Sequence, residues 1–204
     1  MIERALARLA RLIAGASVRL TVPLEPPERQ RVYFGNHTSH LDFILIWSAL
    51  PAAARARTRP VAGADYWMRG RVRRYLASRV FHAVLIERDP HHAPATARHS
   101  IGAIAEAMGE ETSIIVFPEG TRSMDGELLP FRSGLYHLCQ RKPALELVPV
   151  YLDNMTRILP KGEVLPVPLL SRVAFGAPLR MEADEEKRAF LARMRDALVA
   201  LRDA

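Results

Sequence analysis

Residues 35–43, GNHTSHLDF, gather two histidines, two hydroxyl side chains and a carboxylate into nine positions. A histidine can take a proton near neutral pH, and a carboxylate bonded to one ring nitrogen fixes which nitrogen stays free. His37 and Asp42 are five residues apart, and on one continuous helix that separation rotates side chains by about 140°, so they would diverge. They can meet only if a helix starts between them. Ser39 and Asp42 form Ser-x-x-Asp, a capping-box pattern with Ser39 as N-cap and Asp42 in the first turn. His37 then stands in the preceding turn, where its ring can fold back to Asp42 and keep one nitrogen as a base. On these residues alone two other readings stay open. One is a capped helix start with surface histidines. The other is a metal site from His37, His40 and Asp42, although no further His, Cys and acid cluster completes the ligand set.

A second polar stretch, FPEGTRS at 117–123, follows the apolar run SIIVF. Pro118 ends the run and Gly120 permits a tight turn, which brings Glu119 and Arg122 together. The planar arginine fork suits phosphate oxygens, and Glu119 either pairs with that fork or accepts a substrate hydroxyl. An ordinary solvated turn fits the same letters. Arg88, in LIERD, ends a third apolar run; a solvated arginine paired with Glu87 or Asp89 is its plain alternative.

Short apolar runs predict strands at 17–22, 31–35, 59–63, 82–87, 113–117, 145–152 and 172–176. Helix-length segments lie at 39–50, 65–79, 93–108, 132–141 and 182–203. This alternation predicts an α/β fold: a single-domain layered structure with a mostly parallel central sheet flanked by helices. NHTSHLD, ERD and PEGTRS each follow a predicted strand, and in open parallel sheets the carboxyl ends of the strands share one rim, where ligands bind. Three stretches distant in sequence are thus expected at one crevice.

The 204 residues carry 29 basic and 22 acidic side chains, a formal charge of +7 that suits an anionic partner. Aromatics do not ladder along a basic groove, so nucleic acid is not expected. The single cysteine, Cys139, excludes a disulfide framework and sits two residues from His137, which on a helix faces another way; it reads as a buried structural thiol. No window is apolar for the roughly 20 residues of a membrane span. Charges at Glu3, Arg4, Arg8 and Arg11 argue against a signal peptide. As a helix, residues 1–16 place Ile2, Leu6, Leu9 and Ile13 opposite Arg4, Arg8 and Arg11, a pattern that fits either an anionic membrane surface or a terminal helix packed on the core. Two units are expected: that helix, and one domain over 17–204.

Taken in order, these stretches resemble the glycerolipid acyltransferases, most closely the bacterial 1-acylglycerol-3-phosphate acyltransferases. Asn36, His37, Ser39 and Asp42 fit the first block, VLIERD the second, FPEGTRS the third and LVPVYLDN the fourth; LPFRSG fits the basic residue and glycine that follow the third. The resemblance implies transfer of a fatty acyl group from acyl-CoA or acyl-carrier protein to the hydroxyl of lysophosphatidate, giving phosphatidic acid. It implies His37 as base, Asp42 as its orienting partner, Arg88 and Arg122 on the acceptor phosphate, and Glu119, Gly120 and Thr121 around it. Asn36, Ser39 and Arg132 support the site, and Pro149 shapes the acyl-donor site. No metal and no cofactor beyond the thioester are implied. Other lysolipids, a lyso-ornithine lipid, glycerol 3-phosphate and an idle lipid-binding protein remain alternatives. Two departures are Glu87, where many relatives carry Asp, and the lack of amino-terminal transmembrane helices found in some. The second points to peripheral attachment on the cytoplasmic face of the inner membrane through residues 1–16, with the arginine-rich segment WMRGRVRRYLASRVF adding to it.

Overall fold

The computed structural model describes residues 17–20, 29–39, 41–87, 94–153 and 171–203. The expected helix at 1–16, Arg88 and His40 lie outside these residues.

Valine, isoleucine and aromatic runs such as VYF at 32–34 and SII at 113–115 are buried on both faces, as strands inside a parallel sheet must be. They form β1 (Ser17–Leu20), β2 (Arg31–Gly35), β3 (Thr58–Gly63), β4 (Val84–Ile86), β5 (Ser113–Val116), β6 (Glu146–Asp153) and β7 (Arg172–Phe175). Among the described residues these make one seven-stranded sheet in the order β1-β7-β6-β2-β5-β3-β4. Every pairing is parallel except β6 with β7. The mostly parallel α/β sheet predicted from the sequence is the one observed.

Side chains alternate across the pleat. Tyr33, Ile115, Val148, Val150 and Phe175 face one side with Phe43, Leu45, Ile46 and Trp47. Those four belong to helix α1 (Asp42–Ala49), which is followed by the short α2 (Ala52–Ala56). Val32, Phe34, Ile114, Leu147 and Ala174 face the other side. There they meet α5 (Pro94–Met108), α6 (Gly134–Arg141) and α7 (Lys187–Arg202). Phe190, Met194, Leu198 and Leu201 of α7 form the buried stripe that their spacing implies. Cys139 is packed within α6, and burial pushes its thiol up to about 12, which makes it a poor nucleophile at neutral pH.

The 65–79 segment departs from expectation. It is not one helix but α3 (Ala64–Trp67), α4 (Arg71–Tyr75) and a π-helical turn at Leu76–Val80. Gly70 breaks it, with φ at +83°, a conformation that costs glycine little and other residues more. The last helix begins at Lys187 rather than 182, and the first helix after β2 is shorter than 39–50. The parallel strands β2, β5, β3 and β4 end together at one rim, and the stretches that follow β2 and β5 meet there.

Candidate active site

β2 ends at Gly35, whose α-carbon approaches the neighbouring strand so closely that a Cβ would lie 2.8 Å from the Val150 carbonyl oxygen. The next residue continues the pairing with its side chain. Asn36 Nδ2 donates to the Leu152 carbonyl at 2.8 Å, and the Leu152 N–H donates to Asn36 Oδ1 at 2.8 Å. The amide thus stands in for a peptide group and lets the backbone leave the sheet at His37 without orphaning a buried partner.

His37 Nδ1 lies 2.8 Å from Asp42 Oδ2. The same oxygen accepts the N–H groups of Thr38 at 2.7 Å and Ser39 at 2.8 Å. Ser39 Oγ accepts the Leu41 N–H at 3.3 Å, and helical bonding begins with the Leu45 N–H donating to the Leu41 carbonyl. The acid reaches back to the serine N–H as in a capping box, but the N-cap is Leu41 rather than the expected Ser39, whose hydroxyl meets the Leu41 N–H instead of the Asp42 N–H. Two backbone N–H bonds to that oxygen mark it as an acceptor, so the Nδ1 contact is assigned with the hydrogen on Nδ1, and a neutral ring then keeps its lone pair at Nε2. Asp42 is fully buried, whereas the His37 side chain is 14% exposed. The imidazole also stacks on Phe117, with centroids 4.2 Å apart and planes at 13°. Ring face and Nδ1 are both engaged, which leaves Nε2 as the edge able to reach a substrate.

The stretch after β5 is bound to His37 through the backbone. Glu119 is 2% exposed; Oε1 accepts the His37 N–H at 2.7 Å and Oε2 the Leu129 N–H at 2.9 Å. The Ser123 N–H donates to the His37 carbonyl at 2.8 Å. Gly120 takes φ +70°, and a Cβ there would lie 2.6 Å from Arg132 Nε, which donates to the Glu119 carbonyl at 3.1 Å. Arg122 is half-buried in the turn just before Ser123, so the clip between Ser123 and His37 sets its backbone beside the histidine. Thr121 is exposed. Pro149 lies inside β6 opposite Phe34, on the face shared with Leu147 and Tyr151, with Gly176 against its ring. Its missing N–H falls between the β7 ladder, which starts at Val150, and the isolated bridge of Leu147 to Leu179. Among the described residues no three His, Cys, Asp or Glu side chains gather to hold a metal ion.

The family model described as Acyltransferase matches residues 19–153. The chain belongs to that family. That span includes Asn36, His37, Asp42 and the turn from Phe117 to Ser123; β7, Gly176 and α7 lie beyond it. Among relatives of this acyltransferase-family chain, the 1-acyl-sn-glycerol-3-phosphate acyltransferase of Limnanthes douglasii is 33% identical over 149 residues, 71% of this chain and 49% of that protein. The enzyme of that name from Cocos nucifera is 28% identical over 164 residues, 77% and 48% of the two chains. The alpha form from Homo sapiens is 28% identical over 130 residues, 63% and 42%. The chain spans about half the length of the first two and less of the third. The crystal structure of the LPA acyltransferase PlsC from Thermotoga maritima matches with a TM-score of 0.75 at 17% identity, over 99% of this chain and 78% of that one. At that identity the likeness speaks for the fold.

Within the acyltransferase frame one expectation is corrected. Glu119 neither pairs with Arg122 nor presents a carboxylate to a substrate hydroxyl: both oxygens are spent on backbone N–H groups in a closed interior. Two residues that sequence reasoning did not single out also matter. Phe117 supports the imidazole face, and Ser123 fixes the His37 carbonyl. Both stand at the ends of FPEGTRS, but nothing in the letters assigns them a role.

Burial pushes the Glu119 carboxyl up to about 7, with the nearby Asp42 carboxylate adding to the rise and the N–H groups of Leu129 and His37 opposing it. Above its ordinary 4.5 the unfolded chain gives up this proton while the folded chain keeps it. Stability therefore falls as pH rises from about 4.5 through 7, by up to about 3 kcal/mol. Glu119→Gln cannot titrate. Urea unfolding across this window should show the fall in the native protein relative to the variant; parallel profiles would contradict the assignment.

Proposed function

We propose that this protein moves a fatty acyl group from an acyl thioester to the free hydroxyl of 1-acylglycerol 3-phosphate, giving phosphatidic acid and a free thiol. The observation that carries the reading is the 2.8 Å contact of His37 Nδ1 with buried Asp42, which leaves Nε2 directed away from its support. Family membership and the names of the relatives support the same chemistry.

An acceptor hydroxyl is far too weak an acid to ionise near neutral pH, so its proton must leave as the new bond forms. Nε2 takes that proton, and the hydroxyl oxygen attacks the thioester carbonyl. Asp42 steadies the imidazolium through Nδ1–H. The C–S bond breaks, and the departing thiolate recovers the proton from Nε2. No acyl-enzyme is needed: Cys139 is buried in α6 with a raised thiol pKa. The donor is acyl-CoA or acyl-carrier protein acting as co-substrate, without a metal or cofactor.

Arg122, with Arg88 from the second block, holds the acceptor phosphate, while Gly120 and Arg132 shape the turn that presents it. Arg122→Ala should raise the acceptor KM about tenfold or more with kcat within about threefold, because a charged hydrogen bond to phosphate contributes about 1.5–3 kcal/mol. A lyso-ornithine acceptor, which lacks the phosphate, should be indifferent to that change. Among the described residues no helix is long and apolar enough to cross a membrane. We place the protein peripherally on the cytoplasmic face of an inner membrane, as one acyltransferase domain over 17–204 with 1–16 as a basic anchor. The test is thiol release from acyl-CoA with a panel of lysolipids and glycerol 3-phosphate, products followed by mass. Lysophosphatidate should be the fastest acceptor, and no thiol release with any acceptor would refute the reading.

A further inference from the structure

We propose that residues 64–80 form an interfacial docking surface for an anionic lipid bilayer. Three large apolar side chains in this segment are turned to solvent: Met68 is 48% exposed, Val72 72% and Tyr75 51%. Val72 and Tyr75, three residues apart, share a face of α4. Arg69, Arg71, Arg73, Arg74 and Arg79 surround them, all exposed, and no acidic residue occurs from Tyr66 to Ile86. The inner side of the segment is secured to the core. Val80 and Phe81 are buried there, and Trp67 and Leu76 pack against the same cluster. The exposed apolar side chains are therefore not the edge of an unfinished core.

The mixture selects the partner. Bare apolar side chains at this exposure enter the boundary between headgroups and acyl chains without needing a shaped pocket, and arginines lay their stems along that layer while their guanidinium groups meet lipid phosphates. An acidic protein surface would use the arginines and leave Val72 idle. Position gives the surface its consequence. α3 leaves β3 directly at Gly63, at the rim where β5 also ends, and Trp67 contacts Phe43, the neighbour of Asp42, with centroids 5.3 Å apart. Docking here sets the His37 rim beside the layer that holds lysolipids. That consequence rests on the acyl-transfer reading; the binding itself does not.

The test is co-sedimentation of the full chain with phosphatidylcholine vesicles, with and without phosphatidylglycerol. Binding should rise at least about tenfold with phosphatidylglycerol. Val72→Asp should weaken it about tenfold by removing apolar burial and adding a repelled charge. Arg71→Gln with Arg74→Gln should weaken it about fivefold per arginine. Unchanged melting curves would show that the exposed sites leave the fold intact. His37→Ala should bind as the native protein does, so vesicle binding is read independently of catalysis. Indifference to phosphatidylglycerol, or native binding by Val72→Asp, overturns the proposal. In the latter case a loss confined to the arginine variant would mean electrostatic attraction to the vesicle surface without entry of the apolar side chains.

Discussion

His37→Ala is expected to lower kcat for acyl transfer by about 10²–10⁴-fold while the acceptor KM stays within about threefold. The size follows from what the ring does. Nε2 is the group placed to remove the hydroxyl proton, and alanine offers no substitute within reach. The binding term is spared because Arg122, assigned to the phosphate, lies on the turn after β5, which reaches His37 through its backbone. The Glu119 and Ser123 bonds go to the N–H and carbonyl of residue 37, and both survive the substitution. Loss of the stacked ring on Phe117 should cost roughly 1 kcal/mol of stability. Kinetics on a variant verified as folded by circular dichroism check the result, and near-native turnover would contradict it.

Asp42→Asn should cost a comparable factor, about 10²–10⁴ in kcat, although the side chain keeps its size. Oδ2 accepts the Thr38 and Ser39 N–H groups and lies 2.8 Å from His37 Nδ1. An amide can turn only its oxygen to the Thr38 and Ser39 N–H groups, and its neutral dipole then steadies an imidazolium far less than a carboxylate does. Turned the other way, its NH₂ faces two N–H donors and favours the unwanted ring tautomer. Weakened bonds at the helix start should also lower stability by about 1–3 kcal/mol. Steady-state kinetics and urea unfolding on the same preparation separate the two effects.

How much of this was legible depended on how far apart in sequence the partners lie. The His37–Asp42 contact was readable because Ser39 announces a helix start within five residues, so the geometry is local. The shared rim was readable because apolar strands alternate with helix-length segments. Glu119 was not: its partners, His37 and Leu129, are 82 and 10 residues away, and only the pairing of β2 with β5 makes a rim carboxylate into an interior brace. Asn36 hid its role for the same reason, since its partner Leu152 is 116 residues distant. The break at Gly70 is masked in the sequence because the surrounding letters keep a helical rhythm, which a left-handed glycine overrides.

The most direct test of the central claim is the ring tautomer of His37, read from long-range proton–nitrogen correlations in protein labelled with ¹⁵N-histidine at pH 8. Hydrogen on Nδ1 with a free lone pair on Nε2, and a change in that pattern with Asp42→Asn, are the predicted results. Hydrogen on Nε2 in the native protein, or a pattern indifferent to Asp42→Asn, would contradict the account.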